Sequence, residues 1–282
     1  MLGARAFRET GALDVAIVKG PDVLRLRNDK NLTSKLAKPF TVDPMQMNEL
    51  PDRVTADIAV REALMTAVDP KAWNQAMNNG EGVLSSSFIT SNTECFEPAT
   101  AALMPTPSLD KAKQILTAAG WTAGADGKFA KGGKPLAIKV LGNTTQNAAP
   151  EYLVDQFTKL GATVTLERPD FATFAGKWRN GEFDVSVSNV SLASPTPASA
   201  VQYLAGTYIP GQAINPARVN DPELDRAVTA AKESAGAERC RNWSIVQKRF
   251  LEQKHILPMA GQVTSVFARA GFDFFQIGRA HV

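Results

Sequence analysis

The sequence predicts an α/β fold, and three observations carry that prediction. Short segments rich in β-branched residues alternate with longer segments whose apolar residues recur at helical spacing. Glycine, proline, Asp and Ser punctuate the alternation where turns and helix ends belong. The composition is that of an ordinary globular chain: 282 residues, 44% hydrophobic, 21% charged, and 31 Lys+Arg against 28 Asp+Glu for a net charge of +3. A chain of this length buries a sizeable core as one large domain or two smaller ones. No apolar run approaches the roughly 18 residues of a membrane span. Met1 to Thr10, with Arg5, Arg8 and Glu9, does not read as a signal peptide.

The elements follow in order. Leu13 to Val18 (LDVAIV) alternates and reads as a strand; Pro21 then sits at a helix start, with DVLRLRNDK behind it. Arg25 to Lys38 is locally basic but lacks interleaved aromatic residues, so it reads as a solvated helix and loop, not a nucleic-acid contact. Asp57 to Met77 places Val60, Ala63, Leu64, Ala67 and Val68 on one helical face, and Pro70 divides it into two helices. Residues 80–107 form a long irregular stretch with three prolines. Ser108 caps a helix that Gly120 stops. Asp126-Gly127 reads as a hairpin turn. Gly127 and Gly132 have phosphate-loop separation, but Gly133 stands where that motif needs Lys. A strand from Pro135, a helix from Pro150 stopped by Gly161, and the strand ATVTLER come next. A helix over 171–179 and the alternating strand Phe183 to Ser188 follow. Asp221-Pro222 opens one late helix, and 237–254 forms the last, with Trp243, Val246, Phe250 and Leu251 on one face. His255, just beyond it, reads as a C-terminal residue favoured by the helix dipole.

Rare residue types restrict the chemistry. There are two histidines, His255 and His281, and two cysteines, Cys95 and Cys240. HExxH, CxxC and GxSxG motifs are absent, so zinc and Ser-His-Asp chemistry have little support. One location does have a physical reason to bind. The loop at the carboxyl end of a strand in an α/β sheet is where ligands sit, which nominates residues 189–196 after the 183–188 strand.

Several segments, in order, resemble one family. Val60 to Ala72 (VREALMTAVDPKA) resembles VRQALNYAVDREA, the signature helix of the family 5 extracellular solute-binding proteins of ABC importers, the peptide, nickel and oligosaccharide group. SLDKAKQILTAAGW is similar to that family's DPEKAKALLAEAGY, YLVDQFTKLGATVTLE to IIQQQLKKIGIKVEL, and GEFDVSVS to GEFDAALG. GALDVAIVKGPDVLRL, NDPELDRAVTAA and WSIVQKRFLEQKHILPM match other family segments, so the resemblance runs over about residues 11–275.

The resemblance implies a bilobed fold of the periplasmic-binding-protein (type II) class, here mainly its second lobe. Residues 1–47 would be a remnant of the first lobe and hinge strand, 48–253 the second lobe, and 254–275 the return to the first. It implies an exported, periplasmic or extracytoplasmic receptor, monomeric when full-length. Such a receptor closes over a peptide, opine or oligosaccharide and delivers it to an ABC permease. No catalysis, metal, cofactor or nucleic acid is implied. A ligand-sensing domain of a regulator or chemoreceptor is the alternative on the same fold, and an α/β hydrolase is the disfavoured one of another class.

The resemblance also sharpens the site. In dipeptide-binding members the loop after the FDAAL strand resembles GWTGDNGDPDN, and its carboxylate pairs with the peptide ammonium. The matching loop here, Asn189-Val190-Ser191-Leu192-Ala193-Ser194-Pro195-Thr196, has neither Asp nor Trp. An unpaired buried ammonium is costly, so a sugar, an opine or a blocked peptide fits better. Asn189, Val190, Ser191, Leu192, Ser194 and Thr196 are the candidate ligand residues, with Asn48 at the start of the expected second lobe.

Export would permit a Cys95–Cys240 disulfide, but nothing in the sequence brings the two together, so unpaired thiols are expected. The last seven residues, QIGRAHV, resemble the translation of a short-read sequencing adapter. They are expected to be non-biological, which leaves His255 as the one histidine to consider.

Overall fold

The computed structural model describes residues 14–18, 22–187 and 196–269. The chain divides into two compact units, one of residues 40–261 and one of residues 1–39 with 262–282.

The larger unit is built on a six-stranded sheet. Its strands are β3 (Asp43–Met47), β4 (Val83–Leu84), β8 (Ala137–Leu141), β9 (Thr163–Glu167), β10 (Val185–Val187) and β11 (Ile256–Gly261), in the order β4-β11-β3-β10-β8-β9. β8, β9 and β10 run parallel, while β3 is antiparallel to both β10 and β11. Alternate residues feed opposite faces, as the two-residue strand period demands. Val140 and Leu257 enter one apolar core, Leu141 and Ile256 the other. The first core is closed by α2 (Ile58–Ala67), α3 (Pro70–Asn78), α4 (Leu109–Ala118) and α5 (Ala149–Leu160). The second is closed by α6 (Phe171–Arg179), α7 (Pro197–Val201), α8 (Pro222–Glu233) and α9 (Gly236–Glu252). A hairpin-like sheet of β5 (Thr122–Ala123), β6 (Phe129–Lys131) and β7 (Lys134–Pro135) lies between α4 and β8 in the chain.

Local chemistry sets the helix limits. Asp57, Asp69, Ser108, Asp170 and Asp221 each accept a backbone N–H of the following first turn, which satisfies donors that the helix itself cannot. Pro70 and Pro222 occupy first-turn positions where a missing N–H costs nothing. Gly161 ends α5 at φ 104°, where a Cβ would lie 2.5 Å from the Gly127 carbonyl oxygen.

The unit boundaries fall at 39/40 and 261/262. The reason is strand pairing: β3 and β11 hydrogen-bond to each other inside this sheet, with Ile256 opposite Gln46 and Leu257 opposite Met45. Residues 40–47 and 254–261 therefore belong to the larger unit.

The smaller unit has a three-stranded antiparallel sheet, β1 (Val15–Val18), β12 (Thr264–Arg269) and β2 (Leu32–Ala37), in the order β1-β12-β2, with α1 (Asp22–Arg27). Its core joins Val18, Val23, Leu26 and Phe267. The loop expected after α1 is in fact β2. Its residues are mostly exposed, so six-residue pairing with β12, not side-chain burial, makes it a strand. The tail 276–282 lies outside the described residues.

Cys95 and Cys240 form a disulfide, with Cα atoms 4.7 Å apart, contrary to the expectation of free thiols. The pair is 145 residues apart in sequence, so only the fold brings the irregular 85–104 segment across α9. The contact is reinforced by Gln247 Nε2 donating to Cys95 O at 2.8 Å, Glu97 N donating to Gln247 Oε1 at 3.0 Å, and an Arg239–Glu94 ion pair at 2.9 Å.

Candidate functional site

The nominated ligand loop follows β10, whose carboxyl end lies beside that of the parallel β8. Residues 189–194 of the candidate set lie outside the described residues; what flanks them is well defined. Before them, Val187 ends β10 and is buried, and its carbonyl accepts a 2.6 Å hydrogen bond from Gln146 Nε2. After them, Thr196 is the N-cap residue of α7, half-buried, and its carbonyl accepts from Ser199 N and Oγ. α7 is fixed by Ala200, Val201 and Leu204 in the second core. It is held further by Gln46, whose Nε2 donates to Tyr203 O at 2.8 Å while its Oε1 accepts from Trp178 Nε1 at 2.8 Å.

The loop after β8 runs beside this exit. Gly142 N donates to Glu167 O, Asn143 N to Gln146 Oε1, and Thr144 N to Pro169 O. Arg168 braces the same loop by donating to the Asn143 and Asn147 carbonyls and pairing with Glu151. Trp73, Gly142, Gln146, Pro150 and Val187 line a small cavity beneath it. The strand segment ahead of β3 reaches the same edge. Thr41 bridges Ile89, and Val42 N donates to Phe88 O, so residues 87–90 run antiparallel beside 40–43. That register brings Ser87 alongside Asp43. Thr41 Oγ1 and Ser87 Oγ are buried without a hydrogen-bond partner among the described residues. The other buried hydroxyl residues, Thr55, Thr66, Thr90, Thr93, Thr100, Ser186 and Ser265, all have one.

Asn48 lies elsewhere. It follows the last residue of β3, and β3 is antiparallel to β10, so it sits at the opposite edge of the sheet from the nominated loop. Its side chain is fully buried and engaged: Nδ2 donates to Gly181 O at 2.8 Å and Oδ1 accepts from Leu50 N at 3.0 Å. The structure gives Asn48 internal hydrogen bonds, and of the other candidates only Thr196 is described, at the opposite end of β10.

Around Asn48 is an ionic network that sequence reasoning missed. Arg61, 5% exposed, donates to the carbonyls of Thr55, Ala56, Gln253 and Lys254 and lies 3.6 Å from Glu49. Burial pulls its pKa down, against Glu49 and Asp57, which support its charge. His255 stands between two carboxylates, with Nδ1 2.7 Å from Glu49 Oε1 and Nε2 3.1 Å from Asp221 Oδ2. Arg249 Nε donates to that same Asp221 oxygen at 2.6 Å. Burial works against the Asp221 charge, but the bonds from Arg249, His255 and Leu224 N outweigh it and hold the carboxyl at about 2. A helix-end histidine gave no signal of this: Glu49 and Asp221 are 206 and 34 residues away in sequence.

The family model for bacterial extracellular solute-binding proteins, family 5, matches residues 3–211. The chain belongs to this family. No curated protein sequence matches the chain. Among solved structures, it is similar to the oligopeptide-binding protein AppA from Bacillus subtilis in complex with a nonapeptide. There the identity is 18% and the TM-score 0.79, over 97% of this chain and 55% of that one. It is similar to a dipeptide binding protein from Pseudoalteromonas sp. SM9913 in complex with Met-Leu, at 20% identity and TM-score 0.77, over 95% and 51%. It is also similar to AgaA from A. tumefaciens R10 in complex with agropinic acid, at 19% identity and TM-score 0.75, over 95% and 53%. At these identities the likeness establishes the family 5 fold. The chain spans about half the length of these proteins.

Proposed function

We propose that this chain forms part of an ABC-importer receptor that captures a solute by lobe closure and delivers it to a membrane permease, without catalysis. Membership of family 5 carries the reading. Ligand-driven population shift between open and closed forms is the mechanism such a receptor needs. Export to the periplasm or cell exterior is supported by the Cys95–Cys240 disulfide, a bond that persists in oxidising compartments.

Asn189, Val190, Ser191, Leu192, Ser194 and Thr196 are the proposed solute contacts, on the general ground that ligands bind at the carboxyl ends of strands. Asn48 is left out because its hydrogen bonds are internal. The loop carries amide and hydroxyl groups and no carboxylate, which favours a sugar, an opine or a blocked peptide over a free peptide N-terminus. Calorimetry of the full-length receptor against agropinic acid, maltose and Met-Leu is the test. Binding of either of the first two supports the reading. Tight binding of Met-Leu alone overturns the choice of solute class.

A further inference from the structure

We infer that Gln146 is a positioning residue for solute binding: its carboxamide sets where the chain leaves β10 relative to the loop that leaves β8. The inference rests on the receptor reading above. The parallel β8–β10 ladder runs through Val185 opposite Val140 and Ser186 opposite Leu141. One residue further along β8, Gly142 N donates to Glu167 O and continues the ladder to β9, while among the described residues the pairing with β10 ends at Leu141. At that point a side chain takes over the coupling. Gln146, 7% exposed, accepts from Asn143 N at 2.9 Å through Oε1 and donates to Val187 O at 2.6 Å through Nε2. One planar amide thus ties both strand exits.

The approach is close by construction. A Cβ on Gly142 would lie 2.5 Å from Pro150 Cγ and 3.1 Å from Gln146 Oε1, so only glycine lets the amide and the start of α5 sit against the loop. Arg168 holds the β8 loop independently, through the Asn143 and Asn147 carbonyls and Glu151. Loss of the Gln146 amide should therefore free the β10 exit while the β8 loop keeps its second brace. Releasing the carboxyl end of β10 should lower affinity before it lowers stability.

The test uses Gln146→Met and Gln146→Glu in the full-length receptor. It reads thermal stability, amide exchange and calorimetric affinity for whichever of agropinic acid, maltose and Met-Leu binds the wild type. Gln146→Met keeps the length and removes both hydrogen bonds. It should speed exchange at Ser186 and Val187 about tenfold and weaken solute binding by a similar factor, with α2 and α9 protected as before. Gln146→Glu adds a readout that a packing role would not move. Ionised at neutral pH, it cannot donate to Val187 O. As pH falls toward the ordinary glutamate value near 4.3 it gains an O–H donor, and affinity should recover while the wild type stays flat. Unchanged exchange at Ser186 and Val187, or unchanged solute affinity, in Gln146→Met overturns the inference. So does exchange that rises equally over the whole chain, or a Gln146→Glu affinity with no pH-dependent recovery. A wild type that binds none of the three solutes counts against the receptor reading, and the exchange result alone then decides whether Gln146 positions β10.

Discussion

At the amino edge of β8 and β10, the buried side chains Asn48, Thr55, Arg61, His255 and Asp221 have partners on several different elements, while Arg53 Nε and Arg218 Nη1 nearby have none among the described residues. At the carboxyl edge of the same sheet, Thr41 Oγ1 and Ser87 Oγ are buried without one among the described residues. An unsatisfied buried polar atom costs about 1–3 kcal/mol, so a fold does not leave such atoms without consequence. The first edge ties α2, α8 and α9 to the sheet and contributes stability. The second edge concedes stability at those two hydroxyls.

The most severe way to break this contrast is at Arg61. Arg61→Met would leave four carbonyls without their buried donor and Glu49 with His255 alone. The expected loss is about 3–5 kcal/mol, the range for breaking a buried charged network from one side. Urea unfolding measures it; a loss under 1 kcal/mol would mean that water replaces the guanidinium and the amino edge is no more built than the other.

The disulfide joins α9 to the segment that carries Ser87 beside Thr41 and Asp43. Cys240→Ser, or reduction, should cost about 2–4 kcal/mol, since the bridge closes a long loop in the unfolded chain. Denaturation with and without reductant gives the value. Complete alkylation of both thiols in the native, unreduced protein would show that the bridge does not form.

The two edges also differ in how far the sequence reveals them. Helix limits are local: Ser108 and Asp221 cap in the structure where the sequence places caps. Pro70 splits the long helical stretch for an equally local reason. The ionic network is not local. His255 meets Glu49 and Asp221 only because β3 and β11 pair and α8 begins beside them. The Cys95–Cys240 pair is hidden in the same way, by 145 residues of chain. Asn48's position in the chain gives no sign of its place in the sheet, because the antiparallel direction of β3 carries it to the other edge.

A pH titration sharpens the account of the amino edge. The Asp221 carboxyl is depressed from the ordinary 3.8 to about 2. A depressed carboxylate contributes stability that is fully present above its unfolded value, near 3.8, and is lost as pH falls through about 2. That contribution is about 2 kcal/mol at neutral pH. Asp221→Asn should remove it, so the difference in stability between wild type and variant should shrink between pH 5 and pH 2. Curves that stay parallel over that interval would mean that Asp221 is not a principal anchor of the network.

The smallest effect is the most direct comparison of the edges. Thr41→Val keeps the shape and removes a hydroxyl that has no partner; Ser87→Ala does the same with one atom fewer. Replacing an unsatisfied buried polar group by an apolar one of similar shape is neutral to stabilising, by up to about 1 kcal/mol. Thr55→Val, at the amino edge, removes the 2.5 Å bond to the Asn48 carbonyl and should instead cost about 1–2 kcal/mol. Opposite signs for the two Thr→Val substitutions, read as urea midpoints under one set of conditions, would show that the carboxyl edge keeps polar groups for something other than stability. A loss of 1 kcal/mol or more in both would place Thr41 among the structural hydroxyls and remove the distinction.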